Sequence, residues 1–136
     1  MNWTKILLAG LTGGIAVWIY NFVMHGFILG ATYTDHPAFS QEQANPLWFL
    51  LVGICIGIAG ALLFAKSRRA WSAGVKGGAV FGFFIGLTAY FTPFYHPLVI
   101  DQFPYHLAWC WGAIDLVGWM IYGTIAALFI KVEAAA

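Results

Sequence analysis

Asp115 is the residue whose position most needs a chemical reason. It lies within the apolar run from Leu107 to Ile130, in a chain where only 8% of residues are charged and 62% are hydrophobic. A carboxyl at the centre of a lipid-embedded helix costs about 2.5–3.5 kcal/mol on insertion scales, so such a group normally faces a partner, a cavity or an ion path. Asn21 and His25 offer it polar company. Four residues apart, they share one helical face. A rise of about 1.5 Å per residue puts Asp115 roughly 12 Å below the outer end of the last apolar run, with Asn21 at a similar depth. Trp111, Trp119 and Tyr122 fall on the Asp115 face and would wall the site. A carboxylate, an amide and an imidazole among aromatic rings suit the binding of a small ligand or an ion. The structural alternative for Asp115 is a hydrogen bond to Asn21 or to a tyrosine.

A second group could bind metal. His106 and Cys110 are spaced i, i+4, as two ligands on one helix face would be. His96 and Asp101 lie just before them, and His25 and Asp115 complete an outward-facing set for a metal ion or a haem. The signal is weak, because no HExxH, CxxC or EF-hand spacing accompanies it. The plainer role of a histidine at a helix start is interfacial hydrogen bonding. Cys55 reads as a small packing residue and His36 as a loop residue. Dithiol chemistry is disfavoured, since Cys55 and Cys110 lie at different depths and form no CxxC pair. Neither a phosphate loop nor a nucleophile–base–oxyanion set can be assembled, so an enzyme is the less favoured reading.

The elements that must hold these residues are apolar helices. About 20 mostly apolar residues cross a hydrocarbon core of about 30 Å, and the stretches 6–29, 47–65, 71–91 and 107–130 qualify. Their apolar runs are continuous, which excludes a β-barrel. Lys5 ahead of an apolar run is also how a signal peptide begins. This run is too long for that and no small-x-small site follows it, so a retained helix is expected. The predicted architecture is an all-α integral membrane domain over residues 1–136. Its four transmembrane helices form an up-down-up-down bundle with the first and last as neighbours. A polar pocket would open outward between those two.

Composition removes the other classes. A soluble domain carries about 25% charged residues, far more than this chain has to cover a surface. Two distant cysteines exclude a disulfide scaffold, and a net charge of +1 with high hydrophobicity excludes disorder and nucleic-acid binding. Four crossings place all six basic residues, Lys5, Lys66, Arg68, Arg69, Lys76 and Lys131, on one side, with Asp35, Glu42 and Asp101 on the other. The positive-inside rule then predicts cytoplasmic termini, as in a bacterial inner-membrane protein. The outer loops, 30–46 and 92–106, hold all five prolines (Pro37, Pro46, Pro93, Pro97, Pro104) and His36, His96 and His106. Long stiff loops are where function concentrates; the plainer role of proline is to end helices. Trp3 and Trp71 at one side and Trp48, Trp109 and Trp111 at the other match aromatic belts.

Ala9-Gly10-Leu11-Thr12-Gly13-Gly14 is echoed by Ala73-Gly74-Val75-Lys76-Gly77-Gly78, and Ala61–Lys66 by Ala127–Lys131. The echo suggests a duplicated helical hairpin, with copies related by a pseudo-twofold axis along the membrane normal. Gly74, Gly78, Gly82 and Gly86, and likewise Gly53, Gly57 and Ala61, recur every fourth residue. They are expected to form helix–helix seams within the bundle or between subunits. A flat wall against a planar cofactor is the rarer use.

Three functions follow, in order. The leading one is a small membrane protein that binds or handles a small ligand or ion through Asp115, as a ligand-binding protein or a transporter protomer that would need to oligomerise. The second is an accessory or scaffolding subunit of a larger membrane complex. The third is a metal- or haem-binding redox protein. The expected partners are the bilayer and either further copies of the chain or a larger complex, and no nucleic acid.

Overall fold

The computed structural model describes residues 2–39, 45 and 47–131, all of whose regular elements are helical. Four helical segments are long and apolar enough to cross a membrane: Trp3–Ile28, Leu47–Ala70, Gly74–Val99 and Tyr105–Phe129. The first consists of α1 (Trp3–Asn21), whose free N–H of Lys5 is capped by the Asn2 side chain, and a π-helical continuation, Phe22–Ile28. A short α2 (Gly30–Thr34) and a 3-10 turn at Pro37–Phe39 follow. Then come α3 (Leu47–Ser67), α4 (Gly74–Phe91), α5 (His96–Val99) and α6 (Tyr105–Phe129). Glu42, Pro46, Glu133 and residues 134–136 lie outside the described residues.

The third segment runs past its predicted end. Pro93 and Pro97 do not stop it. Each stands in the first turn of a short helical piece, Thr92–Tyr95 and α5, where a missing N–H is no loss. Among the described residues, the connections over 29–39 and 92–104 are therefore largely helical.

Lipid gives apolar helices no hydrophobic reason to associate, so close contact must hold them together. Glycine supplies it. A Cβ on Gly10 would lie 2.6 Å from the Ile58 Cα, and one on Gly14 2.6 Å from the Gly53 carbonyl; Gly57 abuts the Gly10 backbone. These contacts zip α1 to α3. On the other side Gly78 meets Gly123, Gly82 meets Trp119 and Met120, and Gly86 meets Leu116, zipping α4 to α6. The pairs run in opposite sequence order, so both hairpins are antiparallel. Gly14 and its echo Gly78 both sit in these seams, on Gly57 and Gly123, but the closest α1–α3 approach is Gly57 on the Gly10 carbonyl, and the echo of Gly10, Gly74, meets nothing. α1 and α6 join the hairpins, giving the lateral order α3–α1–α6–α4, an open row instead of a closed square.

Two sequence expectations are corrected. Gly74 belongs to no seam: its φ is +71° and nothing lies within 4 Å of its missing Cβ, so it serves the turn that opens α4. Cys55 is exposed, on the face of α3 opposite its glycines, instead of packed in a seam.

At the end that carries the basic residues the row closes. Ile6, Phe64, Phe81, Ala126 and Ile130 form one buried cluster, with the Phe64 and Phe81 rings 4.8 Å apart. Arg68 seals it, only 5% exposed. Its Nε donates to the Ile130 carbonyl at 2.9 Å, and one terminal nitrogen donates to the Trp71 and Ser72 carbonyls at 3.1 and 3.0 Å. The guanidinium lies over the Phe64 ring and caps the C-terminal end of α6, where the helix dipole favours a cation. Trp71, expected in an aromatic belt, is half-buried here instead, donating to Ser67 and packing on Phe81.

Candidate functional site

Tyr122 divides the closed half from an open one. It is 2% exposed, wedged where Gly13 and Gly60 leave room for its ring, and its hydroxyl donates to the Gly57 carbonyl. Above this floor the helices part. At Gly118 a Cβ would sit 3.5 Å from Val17, an ordinary contact, and α3 packs mainly on α1 and little on α6. The result is a cavity of about 800 Å³ between α1, α3 and α6.

The structure brings Asp115, Asn21, His25, Trp111, Trp119 and Tyr122 to this one cavity. Their roles differ. Asp115 forms no hydrogen bond or ion pair among the described residues. The Asn21 side-chain oxygen is buried with no hydrogen-bond partner. A buried polar atom left unpaired costs about 1–3 kcal/mol, and among the described residues these two lack a partner at mid-depth, while at the closed end the second terminal nitrogen of Arg68 is also without one. Tyr122 and Trp111, by contrast, have already committed their polar atoms.

Trp111 is the hub of the upper wall. Its indole N–H donates to the Tyr33 hydroxyl at 2.7 Å, and that hydroxyl lies 2.5 Å from His25 Nδ1. An indole nitrogen can only donate, so Tyr33 accepts from Trp111 and passes its own proton to Nδ1. This fixes the His25 tautomer with hydrogen on Nε2, the remaining polar atom of the ring. Burial pushes the Tyr33 hydroxyl up to about 12, opposed by the Trp111 hydrogen bond, so it remains a donor. Tyr33 comes from α2, and with Phe39 from the next turn it covers the cavity. Phe39 packs on Tyr33, Phe103 and Trp111 at centroid distances of 5.0, 5.7 and 6.0 Å. Trp111, placed in an aromatic belt by its position, is thus half-buried in this cover.

The π-helix at Phe22–Ile28 contains His25. Such segments are rare and concentrate at functional sites. The wider turn changes the register of everything after Asn21, bringing His25 beneath Tyr33.

The proposed metal set does not come together. Among the described residues no group of three or more His, Cys, Asp or Glu side chains is placed to hold an ion. His25 is engaged with Tyr33. His96 donates to the Pro93 carbonyl and stacks on Tyr95 and Phe103. His106 lies beside His36, with ring centroids 6.0 Å apart, and Asp101 is exposed on the loop. Cys110 is half-buried next to Trp111 in sequence, with its thiol free.

Sequence reasoning missed Tyr33, Phe39 and the α3 wall of Phe49, Val52 and Ile56. Tyr33 lies in what reads as a loop, and the α3 residues are ordinary apolar letters; neither carries a signal. Comparison with known protein families, characterised proteins and solved structures gives no match.

Proposed function

We propose that this chain is an integral membrane protein that binds a small ligand in the cavity above Tyr122. Asp115 and Asn21 serve as recognition groups and Trp111, Trp119 and Tyr33 as walls. One observation carries the reading: two polar side chains at one depth, Asp115 and the Asn21 oxygen, lack partners among the described residues beside a cavity of about 800 Å³. A helix that keeps an acid in its apolar interior stabilises nothing by doing so unless something binds it. The basic end is assigned to the cytoplasm by its lysines and arginines, in a bacterial inner membrane, so the cavity opens outward. Gly14 and its echo Gly78 lie in corresponding seams, which supports a duplicated hairpin in which only one copy has acquired the site.

Native mass spectrometry of the detergent-purified protein tests this. A retained small molecule is expected on the wild type and should fall by about tenfold on Asp115→Asn, a loss of about 1.4 kcal/mol. Equal retention would remove Asp115 from recognition. The scaffolding reading gains no support, because exposed apolar side chains are spread over all four long helices, as lipid alone requires.

A further inference from the structure

We infer that the ligand is a single-chain amphiphilic ammonium, drawn from the bilayer, with its head at Asp115 and Asn21 and its hydrocarbon tail leaving past α3. The inference rests on the cavity being a binding site and names what it binds.

Three features converge. First, the unfilled polar atoms at mid-depth are acceptors: the Asp115 carboxyl and the buried Asn21 oxygen. Three of the donors around them are committed elsewhere, since Trp111 donates to Tyr33, Tyr33 to His25, and Tyr122 to Gly57. A guest that brings N–H donors answers both acceptors at once, and a positive charge best suits the carboxylate. Second, Trp18, Trp111 and Trp119 line the same space. Indole faces attract cations, more strongly when water is excluded. Third, Phe49, Val52 and Ile56 line the cavity and are also exposed, at 65%, 54% and 50%. A wall that faces both cavity and lipid is an edge, not a barrier, so the site is open sideways to acyl chains. An anionic head would meet the carboxylate, and a fully polar solute would gain nothing from the α3 edge.

The test titrates the full chain in a neutral maltoside detergent with decylammonium, decanol, decanoate and decyltrimethylammonium, read by tryptophan emission. The first three share a tail and differ in head charge, and the fourth keeps the charge but lacks N–H. Decylammonium should bind saturably and about tenfold more tightly than decanol, with decanoate weakest and the trimethyl compound between. Asp115→Asn should lower decylammonium to the level of decanol and leave decanol unchanged. Asn21→Leu should remove the advantage of decylammonium over the trimethyl compound, and it serves if the Asp115 variant does not fold. Saturable binding in which decanol or decanoate equals or exceeds decylammonium overturns the ligand class while leaving the cavity reading intact. No saturable binding by any of the four overturns both.

Discussion

The two ends of this helical row solve opposite problems. At the basic end, glycines bring backbones into contact, the core is closely packed and aromatic, and Arg68 reaches three carbonyls, leaving one terminal nitrogen unpaired. Past Tyr122 the same helices part around a cavity of about 800 Å³, and an acid and an amide oxygen there have no partner among the described residues. Cohesion is concentrated in one half, and the other half can be unsatisfied because the first holds the row together. This is the usual relation between a scaffold and a site whose polar groups are set out for a guest.

The sharpest way to break the contrast is to add one methyl group at each end. Gly78→Ala drives a Cβ into the Gly123 carbonyl and the Ala127 side chain, and neither backbone can yield. Overpacking of this kind should cost about 3 kcal/mol or prevent assembly altogether, seen as a large fall in the thermal midpoint in detergent. Gly26→Ala, with nothing within 4 Å, should change stability by no more than about 0.5 kcal/mol. Comparable losses at the two positions would mean that the seams are not where the row is held.

The next effect is Arg68→Met, which leaves the Ile130, Trp71 and Ser72 carbonyls without their donor and should cost about 2–3 kcal/mol. Lys66→Met, removing an exposed charge one turn away, should be nearly silent. If the two behave alike in chemical denaturation, Arg68 is only another basic residue of the membrane surface.

A smaller effect belongs to the cover. Tyr33→Phe removes the bridge between His25 and Trp111 and should speed amide exchange over Gly30–Thr34 by about tenfold, with global stability little changed. The hydroxyl also carries a pH signature. Its value in the closed cover is raised from 10.0 to about 12, so the closed form is favoured in full below about pH 10 and loses that advantage as pH rises from 10 toward 12. Tryptophan emission should report the opening in that window in the wild type and not in Tyr33→Phe.

At Asp115 itself no loss of stability is expected. Asp115→Asn removes a charge that no protein group pairs with, so the midpoint should hold or rise by the equivalent of about 1 kcal/mol while binding is lost. A clear destabilisation would show instead that the carboxyl is a structural strut.

Much of this was readable from the sequence, for identifiable reasons. Span positions follow from hydropathy, which depends on composition and not on tertiary contacts. The common face of Trp111, Asp115, Trp119 and Tyr122 follows from helical period. What was unreadable depended on where helices separate. Arg68 has the same letter as exposed Arg69, and only the meeting of the α6 terminus with the α3–α4 turn distinguishes them. The Tyr122 hydroxyl looked available until the Gly57 carbonyl appeared beneath it. Gly74 shares the four-residue spacing of Gly78, Gly82 and Gly86 but opens the helix, where a positive φ sets the requirement. The histidines clustered in sequence near one membrane face, yet a face is wide, and each found its own partner there.

Thiol accessibility at position 115 tests the account most directly. In a chain with Cys55 and Cys110 replaced by serine, Asp115→Cys and Ile114→Cys would be treated in membranes with a small cationic methanethiosulfonate. Ile114 is 3% exposed and packed between helices, whereas Asp115 faces the cavity. Asp115→Cys should react at least about tenfold faster, and decylammonium should protect it. If both thiols are equally inert, the carboxyl sits in dry packing and there is no site.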